Sequence, residues 1–152
     1  MDYHQALQEG TLEIFQTMVF LGIKPLERAE RRDLDEGGAL VTGMIGLSGG
    51  IKGMLAVSAT EEMAKAVTGA MLGMEVNELN DDVRDAFGEI ANMVAGTLKS
   101  AGGDQYDMQL AIPTTTIGMA LHVSGMRGAQ RVQVCFENEF GLLRVELRFL
   151  AS

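Results

Sequence analysis

Glu89 and Asn92 stand three residues apart in the run Asp85-Ala86-Phe87-Gly88-Glu89-Ile90-Ala91-Asn92, a carboxylate and a carboxamide that a helix would hold on one face. A carboxamide offers two donors and an acceptor, so it can hold and aim a water molecule without serving as a general base. That suffices for a labile phosphoryl bond, because phosphoryl transfer depends chiefly on positioning and charge neutralisation; the glutamine that orients water in GTPases does this job. The carboxylate could anchor the same surface to a partner's lysine. A plain solvated helix face would show the same two residues. With no nucleophile, metal cluster or paired acid at sensible spacing, the pair cannot by itself make a hydrolase.

The element that must carry them is a helix. Val83, Ala86, Phe87, Ile90, Ala91, Val94, Ala95 and Leu98 recur at the three-and-four spacing of one apolar stripe. Asp85, Glu89, Asn92 and Gly96 fall opposite it and point away from the core. Asn80 is a plausible N-cap, Asp81 and Asp82 suit the positive end of the helix dipole, and Lys99 with Gly102 supplies the stop signals. Gly88 and Gly96 sit inside this helix, where glycine costs roughly 1 kcal/mol relative to alanine. Each serves either close packing against a neighbouring element or room for a partner beside Glu89 and Asn92, with Asp85 at the edge of the same surface.

Composition narrows the classes. At 152 residues the chain fits one domain over residues 1–152, long enough to bury a core without disulfides or metals. Acidic residues outnumber basic ones by 21 to 12, the net charge is −9, and no basic run exceeds Arg31-Arg32, which argues against a nucleic-acid partner. Cys135 is the only cysteine and sits among Val132, Val134 and Phe136, so it reads as a small buried hydrophobe and no intramolecular disulfide is available. His4 and His122 have no ligand-spaced neighbours, so no metal site is expected, and His122 reads as a strand residue. The start of the chain lacks the pattern of a secretory signal, and no apolar run approaches membrane-spanning length; a cytoplasmic protein without a membrane segment is expected. Eleven methionines suit core filling more than an adaptable surface.

Along the chain, residues 3 to 21 read as an amphipathic helix with Leu7, Ile14, Phe15, Met18 and Leu21 on one face, ended by Gly22 and Pro25. Glu27 to Gly38 reads as a solvated connection or irregular strand. Leu40 to Ser58 reads as a β-hairpin turning at Ser48-Gly49-Gly50, and a second helix opens at Thr60 and stops at Gly73. Strands are expected over Tyr106 to Ile112, Thr116 to Ser124, Arg131 to Glu137 and Leu142 to Phe149, the last two pairing as an antiparallel hairpin across Asn138-Glu139-Phe140-Gly141. Helices and antiparallel strands in separate blocks indicate an α+β fold, with the strands packed against long helices. Ser48-Gly49-Gly50-Ile51-Lys52-Gly53 lacks the Walker spacing and the following helix of a phosphate loop. Gly125-Met126-Arg127-Gly128 joins strands, unlike the GxxG loop of KH domains.

The run Asp85 to Gly96, with Pro113 about twenty residues later, resembles the signature of the CheC, CheX and FliY chemotaxis phosphatases, in which an acidic residue or serine precedes the glutamate by four positions and an asparagine follows it by three. The opening helix Phe15-Gln16-Thr17-Met18-Val19-Phe20-Leu21-Gly22-Ile23 and the length are most similar to the single-motif CheX branch. The resemblance implies a CheC-like fold and dephosphorylation of a CheY-like response regulator. Asn92 would position the water that attacks phosphoaspartate, and Glu89 would pair with the regulator's lysine. Magnesium would be carried by the partner and no cofactor by this chain, and a homodimer joined through its sheets is implied as well. Asp85 matches the first motif position, and Pro113 would shape a strand entry. The double-motif branches carry a second Glu-x-x-Asn in the first helix, where this chain has Glu13 and Gln16, a pair that equally suits an ordinary amphipathic helix. A non-catalytic member that binds a receiver or another signalling partner as an adaptor is the alternative.

Overall fold

Alternating burial on both sides of Gly50 makes the hairpin at the centre of the sheet. The computed structural model describes residues 1–27, 40–102, 107–118 and 128–151. Its elements run α1 (Tyr3–Ile14), a π-helical turn (Phe15–Val19), β1 (Lys24–Pro25), β2 (Leu40–Gly49), β3 (Ile51–Thr60) and α2 (Glu61–Leu72), then α3 (Asp81–Gly102), β4 (Met108–Leu110), β5 (Thr114–Gly118), β6 (Gln130–Asn138) and β7 (Gly141–Ala151). Among the described residues the sheet has seven strands in the order β1-β6-β7-β3-β2-β4, and β5 also pairs with β2. Every pairing is antiparallel. The α+β class holds.

One face of the sheet carries Val41, Ile45, Leu55, Val57, Val145, Leu147 and Phe136, all at most 1% exposed, and the helices pack there. Tyr3 of α1 stacks on Phe149 of β7 at 4.7 Å between ring centroids. Phe87 of α3 faces Gly43 of β2. Cys135 is buried as expected, on the other face of β6 from Val134 and Phe136.

The first helix departs from its expected course. Its α-helical part ends at Ile14, and the chain continues as a π-helical turn closed by the Phe20 amide donating to the Phe15 carbonyl at 2.8 Å. Phe20 then takes a left-handed conformation with φ of 63°. Within this turn Thr17 Oγ1 donates to the Glu13 carbonyl at 2.8 Å. Met18, expected on the apolar face, is consequently 53% exposed. Residues 28–38 of the expected connection and the later part of the strand at 116–124, with His122, lie outside the described residues, as does most of Gly125-Met126-Arg127-Gly128.

The glycines at the hairpin turn have a packing role. Gly49 has φ of +92°, a Cβ there would collide with the Asp107 carbonyl oxygen, and the Gly50 amide donates to that oxygen at 3.3 Å. Among the described residues no helix is long and apolar enough to cross a membrane.

The face turned away from the helices carries a charged cluster. Glu146 is only 8% exposed there, because Arg131 and Arg148 close over it. Arg131 donates to Glu146 Oε1 at 3.1 Å and Oε2 at 3.2 Å, Arg148 donates to Oε1, and Arg144 approaches Oε2 at 3.9 Å. Burial pushes the Glu146 carboxyl up, but the Arg148 hydrogen bond and the charges of Arg131, Arg148 and Arg144 outweigh it and hold the group below its ordinary value. A carboxyl lowered in the folded state stabilises the fold above its unfolded pKa and loses that contribution as pH falls through the folded value. Glu146→Gln is therefore expected to cost about 2 kcal/mol at neutral pH. In urea titrations the gap from wild type should close below about pH 4. An equal gap at acid and neutral pH would contradict it.

Candidate functional site

The polar face of α3 is fixed at both ends and from beneath. At the start, Asn80 Oδ1 accepts from the Asp82 and Val83 amides at 3.1 and 3.3 Å, a side-chain cap, with Asp81 and Asp82 in the first turn. One turn on, Arg84 Nη1 donates to the Thr115 carbonyl at 3.2 Å while Thr115 Oγ1 donates to the Arg84 carbonyl at 2.8 Å, a reciprocal pair tying α3 to β5. In the middle, Gly43 lets β2 approach so closely that a Cβ would collide with the Phe87 carbonyl oxygen. Toward the end, a Cβ on Gly10 of α1 would collide with Thr97 Oγ1. The apolar stripe from Val83 to Leu98 is buried throughout.

On the outer side of this anchored helix, Asp85 and Glu89 are exposed and Asn92 and Gly96 are half-buried. Glu89 and Asn92 make no hydrogen bond or ion pair among the described residues. The face also has a charge gradient. Asp81, Asp82, Asp85 and Glu89 give its first turns four carboxylates, after which come neutral Asn92 and Gly96 and then Lys99. Such a surface matches cations at one end and a polar or anionic group toward the other. Among the described residues no group of three His, Cys, Asp or Glu could hold a metal ion.

Gly88 does not join that face. It is buried, and a Cβ there would lie 3.5 Å from Thr115 Oγ1 and 3.9 Å from Pro113 Cβ and Cγ. The space expected for a partner is filled by the stretch leading into β5, because position 88 turns toward the sheet edge rather than outward. Pro113 is thereby placed one helical turn from Asn92. Gly43, Arg84 and Thr115 carried no recognisable motif; the glycine in an otherwise apolar strand was their one sequence signal.

Residues 41–137, from β2 to the end of β6, match the family described as Chemotaxis phosphatase CheX. The chain belongs to that family. Over 61 residues it is 48% identical to the CheY-P phosphatase CheX of Thermotoga maritima, a match spanning 40% of this chain and 39% of that protein. The chemotaxis protein CheX of Vibrio vulnificus has the same fold, with a TM-score of 0.83 and 26% identity over 99% of this chain and 97% of that one. So does the CheX of a CheX-CheY-BeF3-Mg complex from Borrelia burgdorferi, with a TM-score of 0.81 over 97% of each chain and 17% identity, a level that speaks to fold alone.

Within this CheX fold, Glu13 and Gln16 are both exposed on the first helix, but Gln16 lies inside the π-helical turn. The winding changes between them, so they do not reproduce the unbroken α-helical spacing of Glu89 and Asn92. Gly96 differs from the other helix glycines: nothing lies within 4 Å of a Cβ placed there. Gly96→Ala should raise stability by about 0.5–1 kcal/mol, the ordinary helix-propensity gain, read as a higher urea midpoint. A loss of stability would show that position 96 is constrained from within the chain.

Proposed function

We propose that this chain dephosphorylates the phosphoaspartate of a CheY-like response regulator. The reading rests on one observation in a CheX-family chain: Glu89 and Asn92 stand side by side on a helix anchored to β2 and β5, with no partner among the described residues. Glu89 reaches the receiver's lysine, which brings the helix to the acyl phosphate. Asn92 enters beside the phosphoryl group and holds a water in line with the phosphorus–oxygen bond. The water oxygen bonds to phosphorus, the bond to the aspartate oxygen breaks, and the products are inorganic phosphate and a free aspartate. Positioning of this kind supplies rate without a covalent intermediate on the phosphatase. Magnesium belongs to the phosphorylated receiver and is part of the substrate; this chain supplies no cofactor. Asp85 lies at the acidic end of the docking face and Gly96 beside its neutral end. A cytoplasmic homodimer completes the reading.

Phosphate release from phosphorylated CheY-like receivers tests it. Acceleration over spontaneous hydrolysis, saturating in receiver, is the expected result. Binding of a phosphorylated receiver with no acceleration would replace the phosphatase by an adaptor.

A further inference from the structure

Ile112 is 87% exposed, more than any other large hydrophobic side chain of the described residues. It sits in the link between β4 and β5, two strands that share the same edge of β2. Leu110 of β4 pairs with Leu47, and Thr114 of β5 pairs with Met44, so Ile45 and Gly46 of β2 stand opposite Ala111, Ile112 and Pro113. Three residues against two make a bulge, and a bulge re-aims a side chain out of the sheet. The Ala111 amide donates to the Gly46 carbonyl at 3.0 Å and anchors one side of it. Pro113 closes the other side against Gly88, one turn before Asn92.

The sequence makes this knob stiff. Proline fixes its own φ and confines the residue before it to extended backbone, and isoleucine is restricted about χ1. An isoleucine held out in water gains nothing for the fold. A pre-ordered apolar side chain does lower the entropic cost of docking. The polar residues beside it cannot supply much affinity alone, since exposed ion pairs and water-exchanged hydrogen bonds contribute little net free energy.

We propose that Ile112 is the apolar anchor by which this chain binds its phosphorylated receiver, fitting an apolar depression next to the phosphorylated aspartate while Glu89 and Asn92 meet the polar centre. The proposal rests on the phosphatase reading and adds to it a binding residue outside the Glu-x-x-Asn motif. Its place next to Pro113, which packs over Gly88 one helical turn before Asn92, selects the receiver as occupant over a second copy of the chain.

The test separates binding from turnover. Titrate a receiver loaded with beryllium fluoride and magnesium against wild type, Ile112→Ala, Ile112→Asp and Ile112→Leu, and measure phosphate release in parallel. Ile112→Ala should weaken binding about tenfold and Ile112→Asp roughly a hundredfold, from the apolar area lost and the charge placed against it. Ile112→Leu should stay close to wild type, kcat should be unchanged, and thermal midpoints should not move because the side chain is solvent-exposed. Binding of the Ala and Asp variants within twofold of wild type would overturn the proposal while leaving the phosphatase reading intact. Wild-type binding without accelerated release would end the phosphatase reading, and the dissociation constants would still decide for or against Ile112. Loss of self-association in Ile112→Asp with unchanged receiver binding would overturn the proposal in favour of a second copy.

Discussion

Asn92→Ala is expected to lower the rate of receiver dephosphorylation at saturation by roughly a hundredfold or more, the scale of losing one positioned group at a reacting centre. Three features make the variant clean. Asn92 has no partner among the described residues, so its removal strands nothing inside the protein. Alanine is the better helix former by about 0.5 kcal/mol, so α3 should be as stable or more so. The side chain is half-buried at the neutral end of the face, past the carboxylates that would grip the receiver, so affinity for a beryllium-fluoride-loaded receiver should hardly change. Asn92→Asp should also be inactive: it keeps the shape but replaces two donors by a charge that repels the phosphoryl oxygens. A saturated rate for Asn92→Ala equal to that of wild type would remove Asn92 from the mechanism.

The second large effect is structural. Gly43→Ala should destabilise the protein by about 3 kcal/mol, at the upper end of ordinary overpacking, because the new Cβ meets backbone that cannot turn aside. The added Cβ would lie 2.8 Å from the Phe87 carbonyl carbon and closer still to its oxygen. No flexible side chain can turn aside there. Either β2 or α3 must move, and α3 carries Glu89 and Asn92, so the folded fraction should also turn over more slowly; displacements near 1 Å can cost about a hundredfold. Urea unfolding and single-turnover phosphate release on the same sample separate the two losses. A midpoint within error of wild type would mean that strand and helix are not in the contact described here.

Much of this was legible in the chain. The stripe from Val83 to Leu98 shows its period over about four turns, so which face of α3 is outward followed from spacing alone. The hairpins β2–β3 and β6–β7 likewise announce themselves by alternation around glycine-bearing turns. What stayed hidden depends on partners far apart in sequence. β1 is two residues long, one of them Pro25, and exists only because β6 lies alongside. The π-helical turn leaves the same apolar residues at nearly the same spacings as an α-helix, so periodicity cannot report it. Glu146 alternates outward with Arg144 and Arg148, a pattern that carries no sign that three arginines from two strands bury it. At the site, spacing placed Glu89 and Asn92 together, and chemistry limited them to gripping and aiming. It could not distinguish Gly88 from Gly96, because only the fold brings Pro113 and Thr115 to one and leaves the other facing open space. Neither could it foresee Ile112, whose exposure comes from a register mismatch between two edge strands.

The charge gradient along α3 bears on what happens after hydrolysis. Four carboxylates precede Asn92 on the same face, and the lysine and magnesium that would balance a phosphoryl group stay with the receiver. A free phosphate dianion left beside Asn92 would meet those carboxylates on one side, while Lys99 lies about two helical turns further along the face. On the proposed phosphatase reading, the acidic turns would favour release of the product from beside Asn92.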